Sequence, residues 1–234
     1  MSEDVQKKRS PWVYVGMGCG LALVMLCGLG AVLFFGVVKM GRDFAEDLND
    51  PARRTSKAIK QANAILGAVP EGYNAAFSFG IPLLFDMVMF VDAPLLEDGG
   101  VPDFKRQFVF MRMMENDRSR EMKAFFQNAD AGTLSAEGLS VESSQEIGRG
   151  SFNHRDRRVS WVSLRGRMHN QMQQIADQDS LITSMLFECT DSGQVRIGTW
   201  QMRWPEGGVQ DVSGTVADPA EMQKLLAPLS PCGK

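Results

Sequence analysis

The stretch YNAAFSFGIPLLFDMVMFV, residues 73–91, decides how this chain folds. It is apolar enough to look like a membrane span, but it contains Asp86, and Gly80 and Pro82 interrupt it. A charge is costly in lipid and proline breaks a helix, so both features count against a span. The stretch predicts two strands, Ala75–Phe79 and Leu83–Val91, joined by a turn; a membrane-embedded segment is the alternative.

More strands are predicted on the C-terminal side of this hairpin, and two of them, Leu139–Ile147 and Arg157–Arg165, show alternating apolar residues. The full set of these strands occupies Phe104–Met114, Leu139–Ile147, Arg157–Arg165, Leu181–Thr190, Gln194–Arg203 and Val209–Val216. Residues 191–193, Asp-Ser-Gly, predict a short hairpin turn between two of them. Because consecutive strands are joined by short connections, the sequence predicts a largely antiparallel sheet of about seven or eight strands.

The first predicted helix begins at Asp50-Pro51 and ends at Leu66, before Gly67. Its expected apolar face comprises Ala52, Ile59, Ala62 and Leu66. Its basic face comprises Arg53, Arg54, Lys57 and Lys60. Since the apolar face is modest, we expect this helix to pack on the domain with its basic side solvated. Binding of that side to anionic lipid is the alternative.

Capping signals predict two more helices. One begins at Asn116-Asp117 and extends through Ala129, and the other follows the capping box at residues 218–221. The complete order is helix, three strands, helix, about five strands and helix, which indicates an α+β fold with helices flanking the sheet. This order is similar to that of the PsbP-like fold, in which helices sandwich an antiparallel sheet. The resemblance implies that architecture and no function.

Residues 12–38 contain no charged side chain and are rich in Leu, Val, Phe, Gly and Ala. About 20 residues cross a hydrocarbon core, so this run predicts a transmembrane helix. Trp12 and Tyr14 lie at its start, where aromatic rings prefer the interface. The run is too long for a cleaved signal peptide, and Lys39 follows it where a small-residue cleavage site would be needed. We therefore predict a permanent anchor in the lipid bilayer.

The orientation of the anchor rests on its basic flanks. The tight cluster Lys7-Lys8-Arg9 precedes it, and more dispersed basic residues follow, which favours a cytoplasmic N-terminus and an extracytoplasmic domain at the inner or plasma membrane. The predicted organisation is a basic tail at 1–11, the anchor at 12–38, a juxtamembrane linker and helix at 39–69, and an α+β domain at 70–234. Gly16 and Gly20 have the spacing of a helix-dimer face, although glycine is common in membrane helices anyway.

Composition and charge count against a disordered chain and a nucleic-acid-binding protein, and the cysteine positions limit the possible disulfides. A chain of 234 residues with 44% hydrophobic and 23% charged residues is typical of a folded protein. A net charge of −3 has no general attraction for nucleic acid, so no nucleic-acid partner is predicted. Cys19 and Cys27 lie in the anchor, which leaves Cys189 and Cys232. These two would form a disulfide in an oxidising compartment and stay free in the cytosol.

Few side chains of the domain have the chemistry of a site. Asp86 is isolated in an apolar run, and His154 lies in the basic segment 152–158, which predicts a solvated loop and strand start. A Cys189–histidine nucleophile is conceivable, but a cysteine on a strand is more often a core residue or a disulfide partner. The soft ligands suited to Cu(I) are Met168, His169 and Met172, although methionine is also a common core filler.

No nucleotide, hydrolase or metalloprotease signature occurs, so neither a cofactor nor a metal is predicted. The sequence favours a membrane-tethered binding or accessory domain of the cell envelope, without catalytic activity, within an envelope protein complex. Two alternatives remain: a membrane-anchored hydrolase whose site is not a linear motif, and a structural subunit that oligomerises through its anchor. An exposed apolar patch or open sheet edge would favour the binding domain, and a concave pocket lined by Asp86, His154 or Cys189 would favour the enzyme.

Overall fold

The computed structural model describes residues 50–95, 103–127, 135–136, 139–169, 179–190, 193–204 and 211–233. All of them belong to one compact unit, Asp50–Lys234. The predicted anchor at 12–38, with Gly16 and Gly20, lies outside the described residues. Among the helices that the structure does describe, none is long and apolar enough to cross a membrane.

The described domain contains three helices and eight strands. The helices are α1 (Pro51–Leu66), α2 (Asp117–Gln127) and α3 (Pro219–Leu226). The strands are β1 (Asn74–Ile81), β2 (Phe85–Val91), β3 (Arg106–Met114), β4 (Ser135–Ala136), β5 (Leu139–His154), β6 (Arg157–His169), β7 (Asp179–Phe187) and β8 (Gln194–Arg203).

All eight strands form one sheet in the order β1-β2-β3-β8-β7-β6-β5-β4, and every neighbouring pair is antiparallel. β4 has only two residues, so seven strands carry the sheet. The predicted α+β class, with a largely antiparallel sheet and flanking helices, is confirmed. The similarity of the element order to the PsbP-like fold stays a prediction.

One face of the sheet carries the larger core, which α1 and α3 cover. The helix residues in this core are Ala58, Ala62, Ile65, Leu66, Met222, Leu225 and Leu226. They pack with sheet residues of alternate positions, among them Val88, Phe90, Phe108, Phe110 and Trp200. Successive strand residues point to opposite faces, so the residues between these ones belong to the other face.

The opposite face carries a smaller core beneath α2. Phe125 and Phe126 of α2 are buried there with Val162, Leu164, Leu186, Val195 and Ile197 of the sheet. Met111 and Met113 pack against this cluster from β3 but are only partly buried. This face is therefore filled under α2, and its apolar surface continues towards β3.

The first helix starts and stops where its sequence signals predict. Asp50 accepts a hydrogen bond from the Arg53 backbone N–H at 3.0 Å, Pro51 is the first helical residue, and Gly67 ends the helix with a φ of +78°. The predicted apolar face was partly wrong. Ile59 is 41% exposed and Ala52 is exposed too, because the buried stripe runs through Ala58, Ala62, Ile65 and Leu66 instead.

Several element boundaries differ from the sequence prediction, and residues with a positive φ account for two of the differences. β2 begins at Phe85 and not at Leu83, because Leu83 has a φ of +68° that a strand cannot accommodate. The predicted loop and strand start at 152–158 is the tip of a long hairpin: β5 continues to His154, and β6 begins at Arg157 as predicted. Arg155 and Asp156 form its two-residue turn with φ values of +48° and +61°, as in the tight turns that connect twisted antiparallel strands.

The predicted last strand, Val209–Val216, was wrong in its described part. Residues 211–217 form turns, and residues 205–210 lie outside the described chain. The Thr183 hydroxyl donates to the Val216 carbonyl at 2.7 Å, so this segment is held on the sheet through a side chain. Thr215 donates to the Val212 carbonyl within the segment, which closes a local turn in place of a strand ladder.

Candidate functional site

The most exposed apolar side chains of the described domain lie at the end of the first hairpin. Leu83 is 88% exposed, Leu84 is 56% exposed, and Met114 at the end of β3 is 47% exposed. The Met114 N–H donates to the Leu84 carbonyl at 3.0 Å, so the end of β3 lies beside the turn. Pro82 is exposed as well. We call Pro82, Leu83, Leu84 and Met114 the apolar tip.

The turn beneath the apolar tip holds leucine in an unfavourable backbone conformation. The Leu84 N–H donates to the Ile81 carbonyl at 3.0 Å, so residues 81–84 form a β-turn with Pro82 and Leu83 at its centre. Proline at the first central position and a positive φ at the second are typical of a type II turn, where glycine or asparagine usually occupies the second position. A leucine there costs about 1–2 kcal/mol. Local stability does not explain this residue, and such outliers point to function.

A polar cluster fixes the hairpin just below the apolar tip. Asp86 lies directly opposite Arg112 on β3, whose Nε and Nη2 donate to Asp86 Oδ2 at 3.0 and 2.6 Å. Gln61 of α1 donates from Nε2 to the other oxygen, Oδ1, at 2.8 Å. Asp86 is thus bonded to α1 and β3 at once, which explains why an acid interrupts the apolar strand. It has structural partners and is not an isolated carboxylate.

Gly80 leaves the space that this cluster occupies. It lies opposite Asp86 on β1, and a Cβ atom at Gly80 would be 2.9 Å from both Asp86 Oδ1 and Gln61 Nε2. Real Cβ contacts are essentially never that short. The glycine that interrupts the apolar stretch in the sequence is therefore needed for the hydrogen bond between α1 and the hairpin.

The apolar surface continues from the tip onto the face of the sheet that α2 covers elsewhere. Ile81, Phe85 and Met113 lie opposite one another on β1, β2 and β3 and are all half-buried. The rings of Phe79 and Phe85 are in tilted contact, with centroids 6.2 Å apart. The end of β1, β2 and β3 that carries the apolar tip is thus also apolar on the face of the sheet that α2 covers elsewhere.

Charged groups flank this end of the sheet. α1 passes beside it, since Gln61 contacts Asp86, and α1 presents the exposed basic residues Arg53, Lys57 and Lys60. Next to Met114, Glu115 accepts from Lys123 of α2 at 3.0 Å, so that the two charges are paired. The charges of Asp86 and Arg112 are paired in the same way.

The other site candidates from the sequence gather around the C-terminal segment. Cys189 and Cys232 form a disulfide with Cα atoms 5.3 Å apart. His154 Nε2 donates to the Leu229 carbonyl at 3.0 Å; a carbonyl only accepts, so Nε2 carries the proton. Arg155 donates to Ser230 Oγ and to the Ala227 carbonyl. These contacts hold the segment after α3 against the ends of β5, β6 and β7.

The copper candidates Met168, His169 and Met172 lie largely outside the described residues, so a copper site there stays a prediction. Met168 and His169 are the last residues of strand β6, where their expected near-helical spacing does not apply. Their side chains and all of Met172 lie outside what the structure describes. Within the described residues, no group of three His, Cys, Asp or Glu side chains is placed to hold a metal.

Sequence reasoning missed the residues of the apolar tip. Leu83, Leu84 and Met114 were interpreted as strand residues, whose side chains would be half-buried. A usable signal is nonetheless present: two leucines directly follow Pro82 at a position where the Gly80–Pro82 interruption requires a turn. Turns are usually polar, so an apolar turn is the informative deviation.

Comparison with known proteins does not assign the chain to a family. No protein-family model matches the chain, and no curated protein matches its sequence.

Proposed function

We propose that this chain is a membrane-tethered, non-catalytic binding domain of the cell envelope, which acts through its apolar tip. The observation that carries the proposal is the exposure of Leu83, Leu84 and Met114 at one end of the sheet. Large exposed apolar patches on soluble proteins usually mark sites that bind a protein or a membrane. The positive φ of Leu83 adds that the leucine is retained at a cost.

The proposed tether is the run 12–38, and its flanking basic residues favour a domain outside the cytoplasm. The Cys189–Cys232 disulfide supports this placement, because disulfides persist in oxidising compartments and are rare in the cytosol. Asp86, His154 and Cys189 lend no support to a tethered hydrolase, since each is engaged in an interaction that holds the fold. Of the two alternatives, a binding domain and a tethered hydrolase, the exposed apolar tip therefore favours the binding domain.

A topology and extraction experiment tests this proposal. We expect the full chain to stay in the membrane pellet at alkaline pH, and a reporter fused after Lys234 to be active only outside the cytoplasm. Non-reducing gels of the same cells should show the Cys189–Cys232 bond as a faster band that reductant abolishes. Extraction by carbonate, or a reporter active only in the cytoplasm, would show the proposal to be wrong.

A further inference from the structure

We propose that the ligand of the apolar tip is the lipid bilayer to which the chain is tethered, so that the domain contacts its own membrane at a second point. This inference rests on the proposed tether and names the partner of the same surface. The tip would enter the interfacial region of the bilayer with Leu83 and Leu84 deepest. The domain would then be held in one orientation above the membrane.

The chemistry of the tip suits lipid. None of the four side chains, Pro82, Leu83, Leu84 and Met114, has a hydrogen-bond donor, and only the Met114 sulfur is a weak acceptor. The backbone N–H and carbonyl of Leu84 are already bonded, to Ile81 and Met114 respectively. Polar backbone groups without a partner are what keeps most loops out of an apolar medium. At Leu84 that obstacle is removed, while the leucine side chains stay exposed.

The connection between the apolar run and the described domain is short, which keeps the start of α1 near the proposed bilayer. The apolar run ends at residue 38 and α1 is capped at Asp50, so residues 39–49 span the gap. Eleven residues extend to at most about 40 Å and to less if they are partly folded. α1, which continues directly from this connection, is bonded to the hairpin through Gln61 and Asp86. α1 and the apolar tip therefore belong to the same compact unit, Asp50–Lys234.

The charge of α1 favours one kind of lipid. Arg53, Lys57 and Lys60 are exposed on the helix that passes beside the hairpin end. Basic groups near a membrane surface are attracted to anionic head groups, and apolar insertion next to them gives the usual amphipathic mode of interfacial binding. The tip should therefore enter bilayers that contain anionic lipid more than neutral ones.

Collision measurements on the full chain in proteoliposomes test this inference. A nitroxide label is attached at Leu83→Cys in a Cys19→Ser/Cys27→Ser background, which leaves the Cys189–Cys232 disulfide intact. The matched control is a label at Gln223→Cys, an exposed position on α3. The vesicles contain neutral and anionic phospholipid. We expect the label at 83 to collide roughly fivefold less often with a water-soluble nickel complex than the label at 223, and more often with oxygen. The reason is that hydrocarbon excludes polar reagents and concentrates oxygen.

The label at Leu84→Cys repeats the measurement without altering the turn residue, in case the first variant folds poorly. Equal access of the nickel complex to 83, 84 and 223 would overturn the docking proposal. Protection of 83 and 84 from oxygen as well as from nickel would also overturn it, because it would indicate a protein contact. A label on the native Cys27, in a Cys19→Ser chain, tests the tether separately. Free access of the nickel complex to this label would overturn the proposed function. Protection of Cys27 from nickel, together with free access of nickel to the labels at 83 and 84, would overturn only the contact of the tip with the bilayer.

Discussion

Asp86 of β2 lies directly opposite Arg112 of β3, and the guanidinium donates through Nε and Nη2 to the same carboxylate oxygen. The other oxygen is left for Gln61 of α1. One aspartate therefore joins a helix and two strands at the end of the sheet where the apolar tip lies. Its side chain is 24% exposed and that of Arg112 is 31% exposed, so the pair is neither buried nor freely solvated.

The Asp86–Arg112 pair should contribute measurably to stability. A double-mutant cycle with Asp86→Ala and Arg112→Ala, followed by urea denaturation, should give a coupling energy of about 1–2 kcal/mol, because the hydrogen bonds are charge-assisted and partly desolvated. The control is the Asp103–Arg203 pair, whose contact of 2.9 Å is similar but whose side chains are 86% and 53% exposed. Its coupling should stay below about 0.5 kcal/mol. Equal coupling in the two cycles would contradict the prediction.

Gly80→Ala should break the bond between α1 and the hairpin. The new methyl group meets Asp86 Oδ1 and Gln61 Nε2 at 2.9 Å, so we expect a loss of about 1–2 kcal/mol in the free energy of unfolding. Gly148→Ala is the matched control, since its Cβ would meet only Trp161 at an ordinary 3.5 Å. In a Gln61→Ala background the cost of Gly80→Ala should shrink. An undiminished cost there would mean that the clash has another source.

Leu83→Asn should stabilise the fold while it removes part of the apolar tip. Asparagine tolerates a positive φ better than leucine does, so we expect a gain of up to about 1 kcal/mol in the free energy of unfolding. Leu84→Asn serves as the control, because Leu84 is also exposed but its φ is not positive; its effect should lie within about 0.5 kcal/mol. Thermal denaturation of the two variants compares them directly. A destabilised Leu83→Asn variant would show that Leu83 packs on something in the folded chain.

We expect the protein to lose stability at alkaline pH because the pKa of Tyr73 is raised in the folded state. Burial raises the pKa of Tyr73 to about 12 from a usual value of 10.0, against the opposing hydrogen bond from Trp200. Below pH 10 the phenol is protonated in both states, but between pH 10 and 12 only the unfolded state loses its proton. The free energy of unfolding should therefore fall by roughly 2 kcal/mol through this window.

Tyr73→Phe isolates this effect. The variant should lack the Tyr73 contribution to the alkaline decline. The difference in the free energy of unfolding between wild type and variant, measured by urea denaturation, should therefore be smaller at about pH 11.5, inside the window, than at about pH 8, below it. At pH 8 the variant should be less stable by about 1–3 kcal/mol, because the N–H of Trp200, a residue only 2% exposed, donates to Tyr73 Oη at 2.7 Å and would lose its acceptor. A pH-independent difference would argue against the raised pKa.

The Cys189–Cys232 disulfide should stabilise the fold by about 2–4 kcal/mol, since it closes a loop of 43 residues in the unfolded chain. Cys189→Ser and Cys232→Ser should each cost this amount, and the double variant should cost no more than either single one, because all three remove the same bond. The C-terminal segment keeps other attachments, including the Ser230 N–H to the Leu66 carbonyl at 2.7 Å. Calorimetry of the three variants tests the pattern, and additive losses would contradict it.

Local signals in the sequence were sufficient for most elements of the fold. Asp50, Pro51 and Gly67 marked α1 correctly because capping depends on residues within one turn of the helix end. The strands β3, β7 and β8 followed from short apolar runs bounded by turn residues; β7 and β8 proved to be buried on both faces of the sheet. The face of α1 was harder, since an alanine-rich stripe does not stand out by hydrophobicity. The prediction of a strand at Val209–Val216 was wrong because the same side-chain pattern is compatible with a turn, which the Thr183 hydroxyl holds on the sheet.

The sequence by itself determined the class of fold, the helix caps and the pair of cysteines available outside the apolar run, since these depend on neighbouring residues and composition. Only the tertiary structure decided the strand order, the partners of Asp86 and the exposure of Leu83, Leu84 and Met114. Asp86 is 26 residues from Arg112 and 25 from Gln61 in sequence, so no local pattern connects them. Exposure, likewise, depends on what the rest of the chain packs against. A leucine in a turn becomes a candidate binding residue only when no described neighbour covers it.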